Sequence, residues 1–410
     1  MRKCIELDPA DVALCRGAAS FLQSDLWGRF KARFGWQALA FRVRWEGFPG
    51  QAAVSPDRAD GAAVSPAETA LLALHRPLGP GLSFAYVPWG PELPPDPEGR
   101  GWEGAARNEA AAAIAASLRR MLPAGTAFIR FDFPWYTEES PGVKGSSGEG
   151  VPGAAVPPQA AELSPRRPFL RAGADVQPPD SVLVNLLAGE EAVLGAMKPK
   201  WRYNVSLAEK KGVAVTPVLS SLGGASPQVL RAALDRFYVL YRETAARDGI
   251  AIHSPDYYRA LFEEAAENGG AEVRLYLASH DGEDLAGIIT LFRGREAVYL
   301  YGASSNRRRN LMAPYALQWR AMRDAQGAGC AYYDLFGIPP RPPEEAPDHP
   351  MAGLYRFKTG FIGGTGGTII HRPGSWDYPC RPLVRAAYAA AEKTRKRIRD
   401  WIKKRKRSIP

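Results

Sequence analysis

Cysteine and histidine most often build metal sites and nucleophilic centres, and in this chain they are widely separated. The four cysteines lie at positions 4, 15, 330 and 380, and no two of them form a CxxC pair. The five histidines, at 75, 253, 280, 349 and 371, include no HExxH motif. Because zinc sites need closely spaced ligands and disulfide frameworks need many cysteines in a short chain, the sequence predicts a cytoplasmic protein with no metal and no other cofactor.

The segment at 306–314 lies between a predicted strand and a predicted helix, where acyl-CoA-dependent N-acyltransferases bind the CoA pyrophosphate. Those enzymes use a glycine-rich turn there, because main-chain N–H groups must approach the phosphates closely. This chain has NRRRNLMAP, which contains no glycine and ends in Pro314, a residue without an N–H. The segment therefore argues against CoA. P-loop and G-x-S-x-G motifs are missing from the sequence as well.

Positive charge is concentrated at the C-terminal end of the chain. The sequence has 53 Lys and Arg against 43 Asp and Glu, a net charge of +10. Twelve basic and two acidic residues lie between Arg381 and Pro410, so this segment carries the whole excess. Apolar residues recur within it at helical spacing, which predicts a basic amphipathic helix. Such a helix is typical of contact with an anionic membrane surface, and its alternatives are nucleic-acid binding or a solvated helix.

The elements that must position any site alternate between helix and strand. The chain has 410 residues, enough for two to four domains at about 100–200 residues each. No stretch approaches the roughly 18 apolar residues of a membrane-spanning helix, which excludes an integral membrane protein. A helix is predicted from Phe21 to Lys31. Residues 46–68 are predicted to form a surface excursion, that is, a loop on the surface. Residues 137–167, which are rich in Ser, Gly and Pro, are predicted to form a disordered loop.

Two parts of the chain share one order of elements. A strand at 84–87, a loop, an Ala-rich helix at 105–121 and a strand at 127–132 form the first. A strand at 297–301, a loop, a helix at 312–325 and a strand at 330–335 form the second. Each part has a tyrosine near the end of its first strand and an aspartate near the end of its second. The shared order predicts two similar α/β domains with mixed sheets.

Five motifs in a fixed order connect these observations to a known family. They are FLQSDLWGRFK at 21–31; MKPKWRYN at 197–204 with AEKKGV at 208–213; YLYGASS at 299–305 with APYA at 313–316; YDLFGI at 333–338; and LYRFKTGF at 354–361. Together they resemble the motifs of the FemABX peptidoglycan aminoacyltransferases. Phe336 differs from this pattern, because the family usually has glycine there. Helices predicted at 231–248 and 256–268 have ordinary lengths, so the chain resembles members without the long helical hairpin.

The resemblance implies two N-acyltransferase-like (GNAT-like) domains, to which the charge pattern adds a C-terminal basic helix. Domain one is expected at 1–187 and domain two at 188–368. A return segment at 369–392 is expected to pack on domain one, followed by a basic amphipathic tail at 393–410. The implied reaction moves an amino acid from aminoacyl-tRNA to the stem-peptide amine of a peptidoglycan precursor. Lipid II and UDP-MurNAc-pentapeptide both remain open as the acceptor.

The resemblance also assigns roles to individual residues. Lys358 corresponds to a lysine near the tRNA terminus, where its ammonium would hold a phosphate or the developing oxyanion, with Phe357 beside it in the substrate site. Asp132 corresponds to an acidic residue near the acceptor peptide, where it would orient the amine or accept its proton. Tyr301 corresponds to a tyrosine that hydrogen-bonds the acceptor.

Two phosphate ligands are implied in addition. Lys31 corresponds to a lysine that holds the pyrophosphate of the precursor. Arg202, Lys210 and Lys211 are alternatives for a second ligand, and Arg202 is favoured because a guanidinium matches phosphate oxygens.

Other functions remain as alternatives to the tRNA-dependent reaction. One is a GNAT-type N-acyltransferase that uses CoA, and another is a tRNA-dependent enzyme that modifies a protein N-terminus or a lipid. A third is a non-catalytic protein that binds a membrane or nucleic acid through the basic tail. Only the transferase hypotheses predict that loss of Lys358 abolishes a reaction.

Overall fold

The structure of the chain, a computed structural model, describes residues 3–48, 67–95, 102, 104–139, 165–220, 226–347, 349 and 351–407. Most of the predicted surface excursion at 46–68 and of the predicted disordered loop at 137–167 lies outside these residues, as do the last three residues of the basic tail. The described residues divide into two compact units. The first contains the described residues up to 137, residues 165–177 and residues 372–407, and the second contains residues 138, 139 and those between 178 and 371.

The first unit is built on a seven-stranded mixed sheet. Its strands are β1 (Cys4–Ala10), β2 (Gln37–Glu46), β3 (Ala67–Gly79), β4 (Leu82–Val87), β5 (Thr126–Asp132), β7 (Leu170–Arg171) and β15 (Ser375–Pro379), and its helices are α1 (Asp25–Ala32), α2 (Gly104–Met121) and α9 (Pro382–Arg407). The order across the sheet is β1-β2-β3-β4-β5-β15-β7. Strands β4 and β5 are parallel neighbours joined through α2, and all other pairs are antiparallel.

Strand β5 is buried on both faces, because its side chains alternate between two packed layers. Ile129 and Phe131 belong to the apolar core that also contains Ile114 of α2. On the other face, the ring of Phe128 lies 5.0 Å from that of Tyr388 of α9. The return of the chain to β15 and α9 therefore covers the second face of this sheet.

The second unit is built on an eight-stranded mixed sheet. Its strands are β6 (Thr137–Glu139), β8 (Asp180–Asn185), β9 (Ala214–Leu219), β10 (Glu272–His280), β11 (Glu283–Arg293), β12 (Glu296–Ser304), β13 (Tyr332–Asp334) and β14 (Gly367–His371). Its helices are α3 (Glu190–Ala196), α4 (Pro199–Lys210), α5 (Pro227–Asp248), α6 (Pro255–Asn268), α7 (Ala313–Gly327) and α8 (Ala352–Thr359). The strand order is β6-β14-β8-β13-β12-β11-β10-β9.

The predicted likeness between two parts of the chain is confirmed in the topology. Strands β12 and β13 are parallel neighbours joined through α7, as β4 and β5 are joined through α2. Both connections are βαβ units within mixed sheets, so the predicted α/β fold with two similar mixed-sheet domains and a C-terminal basic helix is confirmed.

Two predicted boundaries differ from the observed ones. The predicted helix from Phe21 to Lys31 begins only at Asp25, because the hydroxyl of Ser24 accepts the main-chain N–H of Trp27 and caps the helix there. Domain one was expected to end at 187, whereas β8 pairs with β13 and β14 in the second sheet. The observed division therefore lies between Gln177 and Pro178.

Helices α5 and α6 pack on the second sheet and do not form a separate hairpin arm. Ala233, Phe237 and Tyr241 of α5 are buried, and Tyr258 of α6 is buried beside them. Among the described helices, none combines the length and the apolar composition needed to cross a membrane.

Candidate functional site

Two of the sequence motifs contact each other at the start of α4. The indole Nε1 of Trp201 donates to the main-chain carbonyl of Phe357 at 2.8 Å, and the N–H of Lys198 donates to the carbonyl of Gly360 at 2.9 Å. A Cβ on Gly360 would lie 2.0 Å from Trp201, so only glycine permits this contact. The motif at 197–204 therefore fixes the position of the helix that carries Lys358.

Lys358 is buried on α8, with 5% of its surface exposed. Its Nζ donates to the carbonyl of Phe336 and, at 3.0 Å, to that of Gly337. The same nitrogen lies 5.1 Å from the ring centroid of Tyr299. Burial lowers the pKa of Lys358 to about 7, and the nearby carboxylate of Asp334 acts in the opposite direction. This amine can therefore exchange its charge near neutral pH.

The turn that accepts from Lys358 has an unusual backbone conformation. Phe336 and Gly337 both have left-handed φ values, 50° and 55°. A left-handed non-glycine residue costs about 1–2 kcal/mol, which a glycine would avoid. Here Asp334 Oδ1 accepts the N–H of Phe336 at 2.7 Å while Lys358 binds its carbonyl. Phe336 is thus held on both sides by residues of the predicted motifs.

A β-bulge shapes the motif at the end of β12. The pairing with β11 shifts by one residue, so that Ile289 faces Tyr301 and Thr290 faces Tyr299, with Leu300 left between them. A bulge of this kind redirects the side chains around it. The hydroxyl of Tyr299 lies 1.7 Å from where a Cβ on Gly302 would be, so glycine is required at 302.

Tyr301 belongs to a cluster of tyrosines from three elements. Its ring lies edge-on to that of Tyr258 at 5.1 Å, and Tyr257 is close enough to affect the pKa of its hydroxyl. The ring of Tyr241 of α5 lies 5.7 Å from that of Tyr258. Burial raises the pKa of Tyr301 well above its ordinary value, so the cluster stays uncharged. Sequence analysis did not identify Tyr257, although two adjacent tyrosines in the first turn of α6 were a signal for it.

The three alternatives for the second phosphate ligand lie at different places on α4. Arg202 Nη1 donates to the carbonyls of Gly195, at 2.7 Å, and Met197, and so holds the turn before the helix. Lys210 and Lys211 are exposed at the other end of α4. At 1.5 Å per residue, about 13 Å of helix axis separates Arg202 from Lys211. One phosphate group cannot contact both.

Phe357 lies in an aromatic group with its side chain partly buried. Its ring centroid is 5.2 Å from that of Tyr315 and 5.1 Å from that of Phe361. The ring of Trp201 lies 5.8 Å from that of Tyr315, which links three motifs of the second unit. In this position Phe357 supports the helix of Lys358, and its predicted contact with substrate stays a prediction.

In the first unit, Gln23 positions the helix that carries Lys31. Its side chain is 1% exposed, donates to the carbonyls of Leu72 and Pro88 and accepts the N–H of Leu72. Burial, with a smaller contribution from Arg76, lowers the pKa of Lys31 to about 8. Sequence analysis missed Arg76, which comes from the distant strand β3. Two neighbouring cations of this kind are suited to an anion.

Asp132 is a buried acceptor with three donors in the first unit. Tyr86 and Ser375 donate to it through their hydroxyls, and Gln177 donates its main-chain N–H at 3.1 Å. Burial raises the pKa of Asp132 to about 6, although these hydrogen bonds act in the opposite direction. The carboxylate joins β4, β5 and β15. Its predicted role as a catalytic group stays a prediction.

No set of three or more His, Cys, Asp or Glu side chains suited to a metal ion occurs in the part of the chain that the structure describes. The cysteines at 4, 15, 330 and 380 are all free thiols. The second unit instead combines an amine of lowered pKa, uncharged phenols and main-chain dipoles, which suits acyl transfer through charge stabilisation.

Comparison with known proteins identifies the family. The sequence model of the FemAB family matches residues 170–279 and 272–393, more than half of the chain. The chain belongs to the FemAB family. The predicted FemABX resemblance is thereby confirmed.

Individual relatives from the FemAB family match a smaller part of the chain than the family model does. Aminoacyltransferase FemA from Staphylococcus aureus strains MW2 and COL is 34% identical over 103 residues, which is 25% of this chain and 23% of that protein. The chain thus spans about a quarter of the length of the curated relatives it matches. The crystal structure of FemX covers 94% of this chain and 100% of its own, with 19% identity and a TM-score of 0.64. This likeness shows the fold.

The FemAB match covers five of the seven predicted site residues. Arg202, Lys211, Tyr301, Phe357 and Lys358 lie inside it, whereas Lys31 and Asp132 lie before residue 170. Within the second unit, the structure brings Lys358, Phe357 and the start of α4 together. It separates Lys211 from them along α4. Lys31 and Asp132 occupy different parts of the first unit, at α1 and at the end of β5.

Proposed function

We propose that the chain is a tRNA-dependent aminoacyltransferase that extends the stem peptide of a peptidoglycan precursor. Its donor would be an aminoacyl-tRNA, and its acceptor lipid II or UDP-MurNAc-pentapeptide. One observation carries the proposal: in a chain of the FemAB family, a buried lysine with a pKa of about 7 is held by the motif turn at 336–337. Membership in the FemAB family alone would not identify the residues of this site.

The proposed reaction needs few groups beyond this site. An amine attacks the ester carbonyl, the bond to the ribose oxygen breaks, and the ribose hydroxyl leaves with a proton. Lys358, as an ammonium, would stabilise the negative oxygen of the tetrahedral centre or a phosphate near the tRNA terminus. Tyr301 would donate to the acceptor peptide, and Asp132 would orient its amine.

Phosphate binding is assigned to separate cations. Lys31, with Arg76 beside it, is proposed to bind the pyrophosphate of the precursor, and Arg202 is proposed as a second phosphate ligand. Because an anion favours the charged form of a lysine, precursor binding would raise the lowered pKa of Lys31.

The alternative that uses CoA has less support. The loop before α7 has left-handed, non-glycine residues at Arg308 and Met312, and Pro314 is the second residue of the helix. Neither side chains at 308 and 312 nor a proline without an N–H favour the close approach of a pyrophosphate.

Location is the remaining part of the proposal. We propose that the distal half of α9 contacts an anionic membrane surface, so that the enzyme works on the inner face of the cell membrane. Glu392 and Tyr388 connect the proximal half of α9 to β5. The basic residues after 392 follow on the same continuous helix.

The test supplies purified protein with labelled aminoacyl-tRNAs from a mixed pool and with both precursors, and separates the products by mass. We expect a product from one or a few amino acids, and a loss of about 10²–10³ in rate for Lys358→Met. A parallel reaction replaces aminoacyl-tRNA with acyl-CoA. Transfer from acyl-CoA alone, or near-normal turnover by Lys358→Met, would exclude the proposed mechanism.

A further inference from the structure

The outer surface of α4 carries an aromatic side chain among lysines. Lys200, Tyr203, Lys210 and Lys211 form this surface, and together with Lys198 at the N-cap of the helix we call it the α4 basic face. Tyr203 has 63% of its surface exposed, although tyrosine is usually at least half-buried. Lys200, Tyr203 and Lys210 follow one another at spacings of three and seven residues, so they lie on the same side of the helix.

The charges of this face are not neutralised within the described part of the chain. None of its four lysines forms an ion pair there, whereas Arg307 and Arg308 on the loop before α7 pair with Glu283. Glu209 is the acidic residue of α4, and nine residues from Lys200 place it on the opposite side of the helix. The face therefore presents a run of positive charge about 15 Å long.

One end of the α4 basic face adjoins the helix of Lys358. The N–H of Lys198 is bonded to the carbonyl of Gly360, and Trp201 is bonded to the carbonyl of Phe357. Lys210 and Lys211 lie at the far end of α4. A polyanion along this face would thus have one end beside α8 and would extend away from it.

The chemistry of the face fits RNA better than a membrane. Lysines about 15 Å apart can contact two separated phosphates of one strand, and an exposed tyrosine between them can stack on a base. A helix that lies on a membrane inserts an apolar stripe. The apolar residues of α4, among them Val205 and Ala208, are instead buried in the core of the second unit.

We infer that the α4 basic face binds the single-stranded end and adjoining stem of the donor RNA, with its 3′ terminus towards α8. This inference rests on the proposed function and adds a docking surface for its donor. Phosphates would contact Lys200 and Lys210, and a base would stack on Tyr203. The orientation follows from the reaction, because the ester to be cleaved is at the 3′ terminus.

The binding test uses the full chain and an uncharged tRNA acceptor-stem hairpin with a single-stranded 3′ end. Lys200→Gln/Lys210→Gln should weaken binding at least tenfold and reduce the slope of log affinity against log salt by about two. Tyr203→Ala should lose about tenfold, and Tyr203→Phe should bind like the wild type. The matched control is Arg231→Gln/Arg242→Gln, which removes two exposed charges from α5 and should change little.

Equal losses in the control and in the α4 variant would overturn the inference, as would unchanged binding by the α4 variant. The same holds if the α4 variant loses binding to phosphatidylglycerol vesicles but not to the hairpin, because the face would then serve a membrane. In the transfer reaction, the α4 variant should raise KM for aminoacyl-tRNA and leave KM for the precursor unchanged. If the wild type binds the hairpin through this face but transfers nothing, the proposed function fails and the RNA surface stands.

Discussion

The contacts of Lys358 stabilise a turn, and its burial brings the pKa of its amine close to neutral pH. Two main-chain carbonyls hold its amine, while burial lowers its pKa to about 7. The aromatic face of Tyr299 lies next to it and also favours a cation. A small change in the surroundings, such as an arriving phosphate, is therefore enough to shift the protonation of this lysine.

The pH dependence of Lys358 can be separated from that of the substrate amine by comparison with Lys358→Arg. A lysine with a lowered pKa loses its charge as pH rises through about 7, whereas arginine keeps its charge. If the ammonium acts, the ratio of wild-type to Lys358→Arg kcat/KM should fall as pH rises from 6.5 to 9, approaching tenfold per unit. The titration of the substrate amine cancels in this ratio. A ratio that rises with pH would show that the neutral amine acts instead.

Lys31 gives a second pH prediction at the scale of a residue. Burial and the neighbouring Arg76 lower its pKa to about 8, so its charge is lost as pH rises through that value. Affinity for the precursor, measured by calorimetry, should weaken between pH 7 and 9 in the wild type. Lys31→Arg should bind with a flatter profile. An identical decline in both proteins would show that Lys31 does not hold the phosphate.

Helix α9 is connected to β5 through a buried network of charges. Arg130 donates to Asp377 at 2.7 Å and to Glu392 of α9 at 2.7 Å, and Arg385 of α9 also donates to Asp377. Asp377 is fully buried, so it depends on these donors. The network explains how a strongly basic helix can pack on a sheet.

Arg130→Ala should therefore destabilise the protein by about 3–5 kcal/mol, because it leaves the carboxylate of Asp377 buried without one of its donors. Urea unfolding measures this difference. The control is Arg42→Ala, which removes an ion pair to Glu68 at 2.8 Å between side chains that are 46% and 42% exposed. That pair should contribute at most about 1 kcal/mol. Similar effects of the two substitutions would contradict the buried network.

Sequence patterns predicted the local elements but not all of their partners. The strands and helices of the two βαβ units follow from periodicity, because each unit is continuous in sequence. The pairing of β15 with β5 joins residues more than 240 positions apart, and no local pattern encodes it. The partners of β8, the strands β13 and β14, are likewise distant in sequence, and β8 was therefore expected in the first domain.

The candidate site shows the same division between local and distant information. The motif positions of Lys358 and Tyr301 were identified from sequence. Tyr257, which neighbours Tyr301, was not identified, and neither was Arg76, which neighbours Lys31, since both come from separate elements. The left-handed conformation of Phe336 was also unforeseen, because phenylalanine rarely adopts it.

The charge distribution of the whole molecule leads to a prediction about its tail. Deletion of residues 393–410 leaves Tyr388 and Glu392 in place, so folding and turnover of the soluble nucleotide precursor should be retained. Binding to anionic vesicles, and turnover of lipid-linked precursor in them, should fall. The difference between the wild type and the truncated protein in vesicle binding and in turnover of the lipid-linked precursor should become smaller as salt screens the charges. Normal vesicle binding with loss of tRNA binding would assign the tail to the donor.

Formation of a new amide at the stem-peptide amine tests the central claim most directly. The full chain is incubated with aminoacyl-tRNA and with a precursor whose stem-peptide amine is either free or acetylated, and the masses of both products are compared. We predict that the free precursor gains the mass of one aminoacyl residue and that ribonuclease treatment of the donor prevents this. The acetylated precursor should gain nothing. No gain with the free amine from any aminoacyl-tRNA, or the same gain on the acetylated precursor, would contradict the account.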